Sequence, residues 1–182
     1  TEVSIHEISA GLQPQIGDAL AILILRAISF LVAAGVGVFE VGLALRGNQE
    51  LRMPPAQVAL MFTVCSLVMF VVQAIVFSPK ISPSWTRWLI APALGVMAVA
   101  LLLIPAASQY IALLTTVSVV AASAGILSPI LTYWTSLESG KTKGAELGKQ
   151  TAVVSIGQAL GSVAGGSLYS VAIIPAAPFS VT

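Results

Sequence analysis

Charged residues are scarce in this chain, because only 8% of its 182 residues are Asp, Glu, Lys or Arg. An ordinary soluble domain carries about 25%. In their place 57% of the residues are hydrophobic, and the mean hydropathy is +0.99. These proportions exclude an ordinary soluble domain and predict an integral membrane protein that lies in a lipid bilayer.

Cysteine and histidine are nearly missing, since the chain has one of each, Cys65 and His6. A single cysteine excludes a disulfide framework, and so small a stock of ligands excludes a zinc-type cluster. Cys65 lies inside an apolar run, where we interpret it as a small buried apolar side chain. We expect no metal, no cofactor and no nucleic-acid partner.

Long runs without charge predict where the chain crosses the bilayer, because a helix needs about 20 apolar residues to span a hydrocarbon core of about 30 Å. The run from Trp88 to Leu137 is too long for one crossing, and a polar break after Pro105 divides it in two. We predict an all-α membrane fold with about five transmembrane helices inside residues 19–173. The predicted spans are residues 27–45, 56–77, 88–104, 110–135 and 150–173.

Basic residues predict the orientation, because positively charged loops stay on the cytoplasmic side. With a cytoplasmic N-terminus the outer side holds only Arg46 and Arg52. The inner loops hold Lys80, Arg87, Lys141, Lys143 and Lys149. Arg26, beside the start of the first span, is expected to extend to the lipid headgroups. Residues 1–18 are then a polar cytoplasmic linker, and residues 174–182 are a truncated tail that is too short to cross.

The last predicted span carries glycines at four-residue spacing, Gly157, Gly161 and Gly165, with Gly166 beside them. Residues four apart lie on one face of a helix. Glycine there lets another backbone approach closely, which is a main source of helix association in lipid, where no hydrophobic force joins helices. The pattern predicts a helix-packing face.

This helix and the loop before it also resemble a known family. The pattern G-x-x-x-G-x-Q-x-A from Gly144, followed by GQALGSVAGGSLY from Gly157, resembles the eleventh transmembrane helix of major facilitator superfamily transporters, in the drug:proton antiporter-like branch. The spans before it fit the seventh to tenth helices in order. The resemblance covers residues 17–173 and implies the C-terminal half of such a transporter, in a bacterial inner membrane.

The competing placement is the N-terminal half, helices one to five, whose fifth helix also carries a glycine-rich motif. Its second-to-third loop usually contains a Gly-x-x-x-Asp-Arg-x-Gly-Arg type motif, whereas the loop here reads SPKISPSWTR from Ser78 to Arg87. The fourth helix of that half usually carries an arginine, and residues 110–135 carry no charge. The C-terminal half is therefore preferred. Such a half has six spans, so this chain is either truncated or lacks the twelfth helix.

In this superfamily two six-helix halves rock about a central site near the middle of the bilayer. The resemblance implies that the first, second, fourth and fifth spans of this chain face the cavity and that the third faces lipid. A lone half cannot enclose a two-sided cavity. The expected partners are therefore a missing N-terminal half or a partner chain, and a small-molecule substrate whose identity stays open.

Glu40 is the most informative single residue, because an ionisable side chain inside a span is costly and indicates a proton, ion or substrate pathway. The hypothesis is that Glu40 couples the movement of protons to the movement of the substrate. The alternative is that Glu40, five residues before Leu45, reaches water at the outer interface. Gln73 and Gln158 either donate and accept hydrogen bonds toward a substrate or tie helices together.

Gly125 and Pro129 interrupt the fourth span, and a kink is expected there. The kink is a candidate gating hinge, although proline kinks are common in membrane helices that do not gate.

These features predict part of a secondary active transporter that moves a small molecule by alternating access, with proton coupling as a further hypothesis. The alternative is a non-transport membrane scaffold or assembly module with the same fold. An enzyme is not expected, because Glu40 is the one residue of the spans that could serve as an acid or base. No catalytic residue is assigned.

Overall fold

The computed structural model describes residues 2–49, 52–78, 83–107 and 109–173, and these ranges contain helices and turns but no strand. The five α-helices are α1 (Glu2–Gln49), α2 (Pro55–Val76), α3 (Pro83–Leu103), α4 (Tyr110–Glu138) and α5 (Lys143–Ile173). Two short 3₁₀ turns, Ile104–Ala106 and Gly140–Thr142, follow α3 and α4. The predicted all-α, membrane-type fold is confirmed.

Four described helical segments are long and apolar enough to cross a membrane. They are Ala19–Asn48, Pro55–Val76, Trp85–Ala106 and Tyr110–Glu138. The fifth helix, α5, has 31 residues, and the part of it whose side chains are described is less apolar than these four segments, because Gly, Ser and Gln occupy many of its positions. The second, third and fourth of these segments lie within three residues of the predicted span bounds, whereas the first begins eight residues earlier than predicted. The crossing of the bilayer by α5 stays a prediction.

The first helix is much longer than its predicted span. Its backbone is helical from Glu2, so most of the linker predicted over residues 1–18 is helix continuous with the span. The tail predicted over residues 174–182 lies outside the described residues.

Helix α4 lies at the centre of the packing, in contact with each of the other four helices. Its buried face is mainly apolar and includes Leu113, Val117, Leu127 and Leu131. Helices α2 and α3 pack mainly against α4, whereas α5 packs mainly against α1. Large apolar side chains are exposed on the outside of the bundle, among them Leu102. Such a surface suits lipid contact, since lipid chains are as apolar as leucine.

Candidate functional site

Helices α1 and α5 approach each other so closely that side chains would not fit between them. A Cβ atom on Gly157 would lie 2.7 Å from the Phe30 carbonyl oxygen, and one on Gly161 would overlap the Ala34 carbonyl. These contacts advance together along both helices, so α1 and α5 run parallel.

The contact continues one turn later and is also lined by glycine from α1. A Cβ on Gly165 would lie 3.0 Å from the Cα of Val38. On the α1 side, a Cβ on Gly37 would lie 2.8 Å from the backbone nitrogen of Ser162. Gly166 differs from the other three, because its nearest neighbour would be Val41 Cγ1 at an ordinary 3.8 Å.

The close approach brings together two of the polar residues singled out in the sequence. Gln158 Nε2 on α5 donates a hydrogen bond of 3.1 Å to Glu40 Oε2 on α1. The apolar segment of α1 continues to Asn48. Glu40 therefore lies eight residues from its end, about 12 Å along the axis at about 1.5 Å per residue. That depth is greater than the predicted span ending at residue 45 implied.

The exposed Gln158 side chain also lines a cleft of about 280 Å³. Helices α1, α2, α4 and α5 contribute its walls, and no described residue of α3 lines it. None of the described lining residues is charged. Its polar members are Ser29, Ser128, Thr132, Gln150, Thr151 and Gln158. The cleft thus combines an apolar wall with hydroxyl and amide groups, and a carboxylate lies at its margin.

Gln150 and Ser29 form a second polar contact between α1 and α5, and both side chains are at least nine-tenths buried. The Ser29 hydroxyl donates to the Leu25 carbonyl at 2.8 Å, so its oxygen accepts the bond of 3.2 Å from Gln150 Nε2. This orientation leaves Gln150 Oε1 without a partner in the described part of the chain. A buried acceptor is therefore held at the edge of the cleft.

One turn toward the N-terminus of each helix lies an ion cluster. Arg26 on α1 pairs with Glu146 in the first turn of α5, before the predicted span. Lys149 donates to the same carboxylate at 2.9 Å. The pKa of Glu146 is lowered below its ordinary value of 4.5, first by the Lys149 hydrogen bond and then by the Arg26 charge, which together outweigh the raising effect of burial.

Arg26 was expected to extend toward the headgroups, which stays a prediction, and the structure shows the partner of its side chain. Its side chain is 19% exposed and lies against α5, where the carboxylate of Glu146 provides an acceptor.

Gln73 is separate from the Glu40–Gln158 pair. It lines another cleft, of about 480 Å³, between α2 and α4 near Pro129. The two clefts share Ser128, Thr132 and Leu147 as lining residues.

Gly125 lies where α4 crosses α2, because a Cβ there would lie 3.1 Å from the Met69 carbonyl oxygen. Helix α4 continues through Pro129 to Glu138. A hinge at Gly125 and Pro129 stays a prediction. Cys65 is buried on α2, as expected.

The polar contacts between the middle of α1 and the N-terminal part of α5 were not found from the sequence. Arg26 and Ser29 are three residues apart, and Glu146 and Gln150 are four apart, so each pair lies on one helix face. That shared spacing was the available signal. To use this signal, one would need to know that α5 packs on α1.

Comparisons with protein-family models, curated proteins and solved structures give no match to this chain. The family resemblance rests on the quoted motifs alone. Among the described residues, no three His, Cys, Asp or Glu side chains form a group that could hold a metal ion.

Proposed function

We propose that this chain is part of a secondary active transporter in a bacterial inner membrane, in which α1, α2, α4 and α5 form one wall of the transport cavity. The proposal takes up the resemblance to the C-terminal half of a major facilitator transporter. The proposed transporter moves a small molecule by alternating access, with coupling to protons.

The observation that carries the proposal is the Glu40–Gln158 pair beside the cleft. An ionisable residue deep within a membrane helix is costly to keep and by default marks an ion or substrate pathway. The Gln158 amide donates to the carboxylate form of Glu40 and offers an acceptor to the protonated form. Both protonation states therefore have a hydrogen-bond partner, as a reversible proton carrier requires.

The arrangement of the helices supports the same proposal. The cleft is lined by the first, second, fourth and fifth helices and not by described residues of α3, which is the division that the resemblance implies. A single half has no opposite wall. Activity therefore needs an N-terminal half or a partner chain.

Replacement of Glu40 tests the proposal in the complete gene product, reconstituted into vesicles with an imposed pH gradient. Ethidium serves as the transported probe because of the drug-antiporter resemblance. We expect gradient-driven ethidium movement with the unmodified protein and its loss in Glu40→Gln. Asp18→Asn, which removes a carboxylate before the apolar segment of α1, is expected to retain it. Full coupling in Glu40→Gln, or no gradient-driven movement by the unmodified protein, contradicts the proposal.

The alternative is a membrane scaffold or assembly module that does not transport. The tight α1–α5 contact and the Arg26–Glu146 pair favour it to some extent, because both hold the two helices in one arrangement. A scaffold would tolerate substitution of Glu40 and Gln158 without any loss of function.

A further inference from the structure

A second surface feature lies apart from the cleft, in a groove of about 360 Å³ between α1, α3 and α4. Its wall is mainly apolar, with five residues of α1 between Leu20 and Ile28 and Ile90 of α3. Its polar members are Arg87 and Glu138, one cation and one carboxylate. The groove therefore joins an apolar surface to two opposite charges.

The indole of Trp134 positions the cation. Trp134 Nε1 donates a hydrogen bond of 3.1 Å to Thr86 Oγ1, which fixes the ring between α3 and α4. The Arg87 guanidinium carbon lies 5.4 Å from the centre of this ring, within cation–π distance. Arg87 itself is exposed. Its planar donors are thus held in one place at the surface, which suits a phosphate group.

The groove lies at a predicted membrane interface. Trp85 and Trp88, on the same turn of α3 as Arg87, are 71% and 83% exposed. Exposed tryptophans collect at the level of the lipid headgroups. On α1, Leu20 and Ile24 expose about half of their surface at the same end of the bundle. A bound molecule there would have headgroup water at one end and lipid chains at the other.

We propose that this groove binds a zwitterionic phospholipid whose headgroup carries a primary ammonium, as in phosphatidylethanolamine. The phosphate pairs with Arg87, the ammonium donates to Glu138, and an acyl chain lies along α1. A phosphatidylglycerol headgroup would satisfy Arg87 but offers Glu138 only neutral hydroxyl donors and no cation to balance its charge. A choline headgroup has no N–H to donate to Glu138. The proposal does not depend on transport.

The test is native mass spectrometry of the full chain, delipidated in detergent and then given equal amounts of phosphatidylethanolamine, phosphatidylcholine or phosphatidylglycerol with identical acyl chains. We expect phosphatidylethanolamine to bind about threefold more tightly than phosphatidylcholine, the scale of a partly exposed ion pair. We expect phosphatidylglycerol to bind no better than phosphatidylcholine. This comparison needs no variant, so it stands even where a variant folds poorly.

Two variants assign the preference to residues. Glu138→Gln is expected to remove the advantage of phosphatidylethanolamine over phosphatidylcholine, and Arg87→Gln to weaken the binding of both. Lys143→Gln removes an exposed charge that lies on the predicted cytoplasmic side and outside the groove. It is expected to change neither the lipid preference nor the strength of lipid binding. Equal binding of the two lipids by the unmodified chain overturns the proposal. The proposal is also overturned if Glu138→Gln keeps the preference for phosphatidylethanolamine. It is overturned as well if Lys143→Gln loses as much lipid binding as Arg87→Gln does.

Discussion

At the scale of single residues, charged side chains are few in this protein, and three polar pairs connect the same two helices. Glu40 with Gln158, Ser29 with Gln150, and Arg26 with Glu146 each join α1 to α5. In lipid such contacts replace water as partners, because an unpaired polar group in hydrocarbon costs several kcal/mol, on the order of 2–7. The candidate site and the helix contact are therefore built from the same residues.

The lowered pKa of Glu146 predicts how stability depends on pH. A carboxyl whose pKa is lower in the folded state contributes stability that is present above its unfolded pKa and is lost as the pH falls through the folded pKa. We expect the thermal-unfolding midpoint of the detergent-solubilised chain to fall as the pH drops below about 4.5. Glu146→Gln should start from a lower midpoint at pH 7 and show a smaller drop.

Lys143→Gln is the matched control, since it removes a charge from the same turn of α5 and leaves Glu146 in place. It should keep the acid dependence of the unmodified chain. An acid dependence of equal size in Glu146→Gln would show that other carboxyls cause it.

At the scale of helices, the contact between α1 and α5 organises the site. It places Gly157, Gly161 and Gly165 against successive turns of α1, and it aligns the two helices in parallel. Close backbone contact in lipid is stabilised by van der Waals packing. The polar pairs lie within reach only because these backbones are so close.

A methyl group at Gly161 should push the helices apart, because it would overlap the Ala34 carbonyl. We expect Gly161→Ala to destabilise the chain by about 1–3 kcal/mol, as overpacking usually does. Gly166→Ala, five residues along the same helix, meets only an ordinary contact and should be neutral or stabilising by about 0.5–1 kcal/mol. Thermal unfolding of both variants in one detergent measures the difference. Equal effects of the two substitutions would mean that helix propensity, and not close packing, determines the change in stability.

The sequence predicted some elements well and others poorly, for physical reasons. Helices α2 and α4 began within one residue of their predicted starts, because Pro55 and the polar break before Tyr110 interrupt the apolar pattern. The start of α1 was missed, since polar residues extend an existing helix without any apolar signal. The Glu40–Gln158 contact spans 118 residues, and spacing within one helix carries no information about such a pair.

At the scale of the whole molecule, the two surface features lie on different sides of α1. The cleft faces α2, α4 and α5, whereas the groove faces α3 and α4. The cleft suits a substrate cavity that another helical bundle completes, and the groove suits a bound lipid. Under the proposed function, the substrate cavity and the lipid contact would lie on separate surfaces of the bundle.

The central claim is that a second helical bundle completes the cavity, and the mass of the native gene product in its own membranes tests it most directly. An antibody against residues 141–149 would detect the product on a denaturing gel. It would also identify the native complex in detergent, whose mass is corrected for the bound detergent. Because transporter halves are of similar size, we expect roughly twice the 18.7 kDa of this chain in at least one of the two measurements. A species near 18.7 kDa in both would contradict the account.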